Sequence, residues 1–382
     1  MSVDRSGLIV ANLLAEEEWA GRAALPSRAT RERLALAAAL LAVFARSDAD
    51  ILWLPAPIAP EAATLSAGPV RPDIRFKAPE SVPDAIVAWA TTTRIDGLRR
   101  TIAAQPGPST GIGWIDSWWR QPLPSPAIAR RLASRAWSLA LAERLGAALP
   151  GARLLQDASE LAAHLGAGAA AGSPSGSWVL KVPWSAAGRE RIVVPATGPS
   201  ASQDRWLRRQ FARGEGLLFE PWMARRADYG CVGMTKASKV TLLGAHRQTI
   251  DATGRFLGLT LWPGCLRPTE MDPRQLPPDA ARRLEAAALA VGGALAMSGY
   301  EGPFGVDAWS YTLANGGIGF QAIGEVNVRC TMGLVARAWT QRLGLPPDGR
   351  GWRLRFGPAL DSADHITLAE GLDRRSAWLE PC

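Results

Sequence analysis

Apolar positions recur at helical spacing over 27–46, SRATRERLALAAALLAVFAR, behind a Ser/Thr start that suits an N-cap, and predict a helix. The uninterrupted run DILWLP (50–55) predicts a short buried strand after it. Helical spacing returns over 127–149 as one long element, then a strand at ARLLQD and a capped helix over 157–168. Past the Ala/Gly/Ser-rich stretch 167–177 the pattern changes. Strands are predicted at 177–182, 191–196, 216–222, 229–235, 239–248 and 254–262, with a helix at 279–299 and a hairpin over 304–328 whose Asn315-Gly316 supplies a tight turn. The Pro-rich stretches 56–80 and 103–126 read as loops. This pattern predicts an α+β chain with a large antiparallel component and a domain boundary near 127.

Composition adds a soluble character. At 382 residues, with 47% hydrophobic and 20% charged content, the chain supports two or three domains with a sizeable core. No run of 18 uncharged apolar residues occurs, and Glu16, Glu17 and Glu18 stand where an export signal needs an apolar segment, so the expected location is the cytoplasm, with no membrane partner. Cys231, Cys265, Cys330 and Cys382 lack metal-ligand spacing and read as free thiols. The net charge of +8 comes from scattered arginines rather than a basic run, which favours a solvated surface or an anionic ligand over nucleic acid. Lysine is scarce: Lys77, Lys181, Lys236 and Lys239 are the only four.

Three stretches carry candidate chemistry. In GEVNVRCTMG (324–333), Glu325, Asn327 and Arg329 fall on one face of a strand while Val326 and Val328 fall on the other. Asp307, in FGVDAW on the partner strand of the hairpin, faces the same way. Two carboxylates and an amide oxygen suit Mg²⁺ beside phosphate; an ion pair of Arg329 with Asp307 or Glu325 satisfies the same pattern. In VLKVPWSAAGRER, Lys181 ends an apolar strand before the small residues Ser185, Ala186, Ala187 and Gly188, whose backbone N–H groups can approach phosphate oxygens. A snorkelling lysine beside a hairpin fits equally well. In LLFEPWMARRADYG a strand ends in Glu220, followed by Pro221, Trp222 and Met223, with Asp228 one short loop later. Such an extended segment can offer backbone groups to an adenine edge and a carboxylate to ribose hydroxyls; taken alone, it reads more readily as an ordinary strand and loop.

The order of these stretches resembles the ATP-grasp superfamily of ligases over roughly residues 130–345, closest to a bacterial subgroup sharing the K-x-P-W-S-x-x-G-R and E-x-N-x-R-x-T-M-G patterns. That resemblance implies an ATP-grasp domain at 127–345, in which two α/β subdomains clasp ATP, preceded by a smaller α/β domain at 1–126 and followed by a C-terminal extension at 346–382. It implies Lys181 on the phosphates, the Ser185–Gly188 loop closing over them, and Glu220 with the 221–223 backbone on adenine. It further implies Asp228 near ribose, Mg²⁺ on Asp307, Glu325 and Asn327, Arg329 holding a carboxylate or acyl-phosphate, and Arg189 as a clamp on the γ-phosphate. The implied activity is ADP-forming ligation of a small-molecule or peptide carboxylate to an amine or related nucleophile. A nucleotide sensor or a small-molecule kinase of the same fold stays open, as does a homodimer. His246 and Arg247 lie on a strand facing either substrate or core, and Trp114, Trp118, Trp119 and Arg120 fill a domain interface or meet an acceptor. The last residues, GLDRRSAWLEPC, read as an interface or a frayed tail.

Overall fold

A computed structural model describes residues 6–22, 26–55, 63–79, 85–99, 108–168, 175–185, 190–251, 254–358, 364–371 and 374–382. The N-terminal third supplies β1 (Gly7–Val10), β2 (Ile51–Trp53), β3 (Ala63–Leu65), β4 (Asp73–Arg75) and β5 (Ala85–Ala88). The middle supplies β6 (Arg153–Leu155), β7 (Ser177–Lys181), β8 (Arg191–Pro195) and β9 (Leu217–Pro221). The rest supplies β10 (Arg225–Lys236), β11 (Lys239–Ile250), β12 (Phe256–Leu261), β13 (Gly302–Thr312), β14 (Ile318–Asn327), β15 (Trp352–Pro358), β16 (Ile366–Gly371) and β17 (Arg375–Pro381).

They form three sheets. The first is parallel, β4-β2-β1-β5, and its strands GLIV, ILW and AIVA are buried on both faces, as a parallel sheet requires. Leu8 and Val10 feed one apolar cluster and Ile9 another, the two-residue alternation of a strand. The second, β6-β9-β7-β8, is antiparallel. The third has nine strands, β14-β13-β10-β11-β12-β15-β17-β16-β3, backed by the helices Pro278–Met297 and Met332–Arg342. No described helix is long and apolar enough to cross a membrane.

Four expectations change. The helix predicted over 127–149 is two helices, Pro126–Leu132 and Arg135–Arg144. Ser134, extended at φ −72° and ψ 137°, breaks the first and caps the second by accepting the Ala136 N–H at 3.2 Å. The apolar spacing continues across the break, so periodicity alone misses it. The loops at 56–80 and 103–126 contain β3, β4 and a helix at Gly113–Trp119, elements too short to show a period. Finally, the segment after 345 is no frayed tail: β15, β16 and β17 continue the large sheet and end on β3, which joins the C-terminus to the N-terminal third.

Candidate active site

The site begins with the β13–β14 hairpin. Its turn places Gly316 at φ 80°, a conformation glycine adopts freely, and Leu313 N–H donates to the Gly317 carbonyl at 2.8 Å. That register sets Asp307 directly opposite Glu325, and Gly305 opposite Asn327. Val326 and Val328 are 2% and 1% exposed in the core, while Glu325, Asn327 and Arg329 line a cavity of about 320 Å³. Asp307 accepts from Gln248 Nε2 at 2.6 Å and from Asn327 Nδ2 at 2.9 Å. Burial and the neighbouring Glu325 carboxylate push Asp307 up to about 6.

Around this acidic pair stand cations from four other elements. Arg135, at the start of the helix that Ser134 caps, donates to the Val182 carbonyl, the Ser185 hydroxyl and the Ser185 carbonyl at 2.8 Å each, and to Glu325 at 2.9 Å. It joins the end of β7 to β14. Lys181, at that end, pairs with Glu220 across β7 and β9. Burial lowers the Lys181 ammonium, Glu220 opposes this, and Arg225 and Arg135 lower it further. Arg225 lies 3.8 Å over the Trp309 ring and is held by Asp228 at 2.8 Å. Arg191 lines the same cavity, its guanidinium lowered by burial and then by Arg225 and Arg135. Lys181 and Arg191 are lowered by Arg225 and Arg135 because like charges crowded in one space disfavour the charged form.

Arg329 faces the N-terminal third instead of the acidic pair. Its Nε donates to Glu16 at 2.5 Å, its Nη1 to the Cys330 carbonyl at 3.0 Å, and its guanidinium lies 4.9 Å from the Trp89 ring. The ion pair with Asp307 or Glu325 that the sequence allowed is therefore not formed. His246 lines the cavity from β11, and burial lowers its imidazole to about 4, which leaves it neutral. Two glycines make room for it. A Cβ on Gly230 would sit 2.3 Å from His246 Nε2, and one on Gly333 2.5 Å from its Cε1, so the last glycine of GEVNVRCTMG serves this ring.

Of the residues singled out in the sequence, Lys181, Asp307, Glu325, Asn327 and Arg329 line one cavity. Glu220 is turned into the Lys181 pair, and Met223 packs with Leu149, Trp309 and Tyr311. Trp222 directs its N–H to the Ser177 carbonyl and its own carbonyl to the Ser175 hydroxyl, while Pro221 belongs to β9. Asp228 lines an adjoining groove with Arg226 and Arg247 and reaches the main cavity only through Arg225. Ala186, Ala187, Gly188 and Arg189 lie outside the described residues. Sequence reasoning missed Arg135, Arg191, Arg225 and Gln248. A Ser-Arg pair opening a helix signals the first; the others lacked any local signal.

The oxygens present fit a hard divalent cation. Among the described residues no three His, Cys, Asp or Glu side chains gather as a metal site. Asp307 and Glu325 nevertheless give two carboxylates, and Asn327, donating to Asp307 through nitrogen, keeps its amide oxygen as an acceptor. Magnesium characteristically takes one or two carboxylates and completes its shell with phosphate and water.

No family model and no curated protein matches the chain by sequence. Solved structures do match by shape. The beta-gamma-ATP complex of biotin carboxylase from Campylobacter jejuni superposes with a TM-score of 0.53 at 12% identity, covering 99% of this chain and 87% of that one. N5-carboxyaminoimidazole synthase from Aspergillus clavatus, with ADP and 5-aminoimidazole ribonucleotide, gives 0.50 at 11% identity over 99% and 94%. A protein of the ATP-grasp superfamily from Archaeoglobus fulgidus gives 0.50 at 11% identity over 99% of each chain. The chain therefore has the ATP-grasp fold, an α+β architecture.

Proposed function

We propose that the chain is an ATP-dependent ligase that activates a carboxylate as its acyl-phosphate, releases ADP, and transfers the acyl group to an amine or related nucleophile with release of phosphate. The observation that carries this reading is the convergence of Arg135, Lys181, Arg191 and Arg225 on one cavity that also holds Asp307, Glu325 and Asn327. Four cations converging on one space suit a polyanion, and the opposing carboxylates suit a divalent metal between protein and phosphate. The nucleotides named with the biotin carboxylase and carboxyaminoimidazole synthase structures support a nucleotide in this fold.

In this mechanism a carboxylate oxygen of the substrate attacks the γ-phosphorus as the bond to the β,γ-bridging oxygen breaks and ADP departs. The nucleophile then attacks the acyl carbon and inorganic phosphate leaves. Arg135, Lys181, Arg191 and Arg225 neutralise the triphosphate, and Arg329, fixed by Glu16 and Trp89, holds the carboxylate for in-line attack. Asp307, Glu325 and Asn327 would hold Mg²⁺, which supplies charge neutralisation at the phosphate oxygens. Glu220, paired with Lys181, fixes that ammonium at the end of β7.

The test is Mg²⁺-dependent ADP release with a panel of carboxylates and amines, comparing wild type with Glu325→Gln. Loss of one pre-aligned charged group is expected to lower turnover by about 10²–10³-fold. Failure of the wild type to bind ATP in the presence of Mg²⁺ refutes the assignment.

A further inference from the structure

The cavity also has an apolar part to its lining. Leu13, Leu34, Ala37, Trp89, Phe256 and Met332 line it and belong to one apolar cluster, drawn from the N-terminal third and from the large sheet with its covering helix. Leu34, Ala37, Phe256 and Met332 are only partly buried there. The charged side chains lining the cavity come from elsewhere: Arg135 on its helix, then Lys181, Arg191, Arg225, Asp307 and Glu325 on β7, β8, β10, β13 and β14. Arg329 stands between the two groups. Its Nε and Nη1 are taken by Glu16 and the Cys330 carbonyl, and among the described residues Nη2 makes no hydrogen bond.

We infer that the acid activated here is a monocarboxylate with an apolar body, aliphatic or aromatic. Its carboxylate rests on Arg329, and its body lies against the wall of Leu13, Leu34, Ala37, Trp89, Phe256 and Met332. This inference rests on the ligase reading. The physical reason is the wall's composition. A second charge laid against these six side chains would lose its hydration, whereas each methylene gains by leaving water. An apolar concavity with one oriented polar anchor is the usual form of such a site.

The experiment uses the full chain with ATP, Mg²⁺ and hydroxylamine, which captures an acyl-phosphate as a hydroxamate with release of phosphate. The acids are acetate, butyrate, hexanoate, phenylacetate, succinate and adipate. Their binding is measured in parallel by calorimetry with a non-hydrolysable ATP analogue. Affinity is expected to rise about fourfold per methylene along the monocarboxylates until the wall is covered. Succinate and adipate are expected at least about tenfold weaker than butyrate and hexanoate, since an uncompensated charge costs more than one decade in affinity. Leu34→Asp is expected to erase the chain-length trend. Ala37→Phe, which fills the wall without adding charge, should shift the best acid to a shorter chain if Leu34→Asp does not fold. Apolar acids that bind selectively but form no hydroxamate support the pocket and refute the ligase reading. Dicarboxylates binding as tightly as the matching monocarboxylates, or no binding by any acid of the series, overturn the inference.

Discussion

His246 and Asp307 approach the cavity from opposite sides of Gly230, their cross-strand partner on β10, and burial displaces them in opposite senses. The imidazole falls from 6.5 to about 4, so between those values the unfolded chain binds a proton that the folded chain refuses. His246 therefore contributes stability that is complete above pH 6.5 and is lost as pH falls toward 4. The Asp307 carboxyl rises from 3.8 to about 6, so the folded chain keeps a proton that the unfolded chain releases. Its contribution is complete below pH 3.8 and is lost as pH rises toward 6. At 1.36 kcal/mol per pH unit each swing is about 3 kcal/mol, and the two nearly cancel in the metal-free protein. Subtracting variant from wild-type thermal unfolding curves between pH 4 and 6.5 separates them. Relative to wild type, His246→Gln is expected to lose stability progressively as pH rises, and Asp307→Asn to gain it. The chain has three histidines, so the ring resonance missing from the His246→Gln spectrum assigns His246 and its midpoint can be read directly by NMR. A His246 resonance that titrates near 6.5, or variant curves parallel to wild type, refutes the account of these two groups.

Two further substitutions test the architecture of the site. Arg135→Met leaves Glu325, two carbonyls and the Ser185 hydroxyl without their donor, and with Glu325 part-exposed the expected loss is about 2–3 kcal/mol, read as a lower urea midpoint together with weaker ATP binding. An unchanged midpoint and affinity would show that the helix start is held by other contacts. Gly333→Ala puts a methyl 2.5 Å from His246 and 2.9 Å from Val232, and is expected to cost about 1–3 kcal/mol by overpacking and to move the His246 resonance. Stability within error of wild type would mean that the glycine is not making room for the ring.

What the sequence disclosed was local, and the reason is geometric. Glu325, Asn327 and Arg329 declare themselves because strand alternation puts them on one face, and Asn315-Gly316 fixes the turn that brings Asp307 opposite Glu325. Lys181 stood out because it ends an apolar strand. Arg135 was hidden by a helical period that runs on through Ser134, and Arg191 and Arg225 because scattered arginines are the background of this chain. Arg329 reaches Glu16, and β16 meets β3, across most of the chain's length, and neither pattern nor propensity at one end reports on the other.

Those long-range contacts hold different parts of the cavity lining in different ways. The wall carrying Leu34, Ala37 and Trp89 is tied to the large sheet by backbone pairing through β3 and by side chains of the helix Met332–Arg342: Trp339 donates to the Leu40 carbonyl at 3.0 Å, and Arg342 to those of Val43, Thr110 and Ala45. The charged lining is joined across two sheets by Arg135, whose side chain reaches the Val182 carbonyl and Glu325 and whose backbone N–H donates to the Pro183 carbonyl at 3.0 Å, while the Lys181–Glu220 pair braces β7 against β9 within one sheet. A polyanion bound as proposed would change the balance of charge around Arg135, Lys181, Arg191 and Arg225. Nucleotide binding is therefore expected to reorganise Arg135, Lys181, Arg191 and Arg225, while the shape offered to the acid stays fixed by the sheet. On the proposal above, exchanging the partly buried Leu34 and Ala37 of helix Arg28–Ala39 is expected to change which acid is used without changing which nucleotide is.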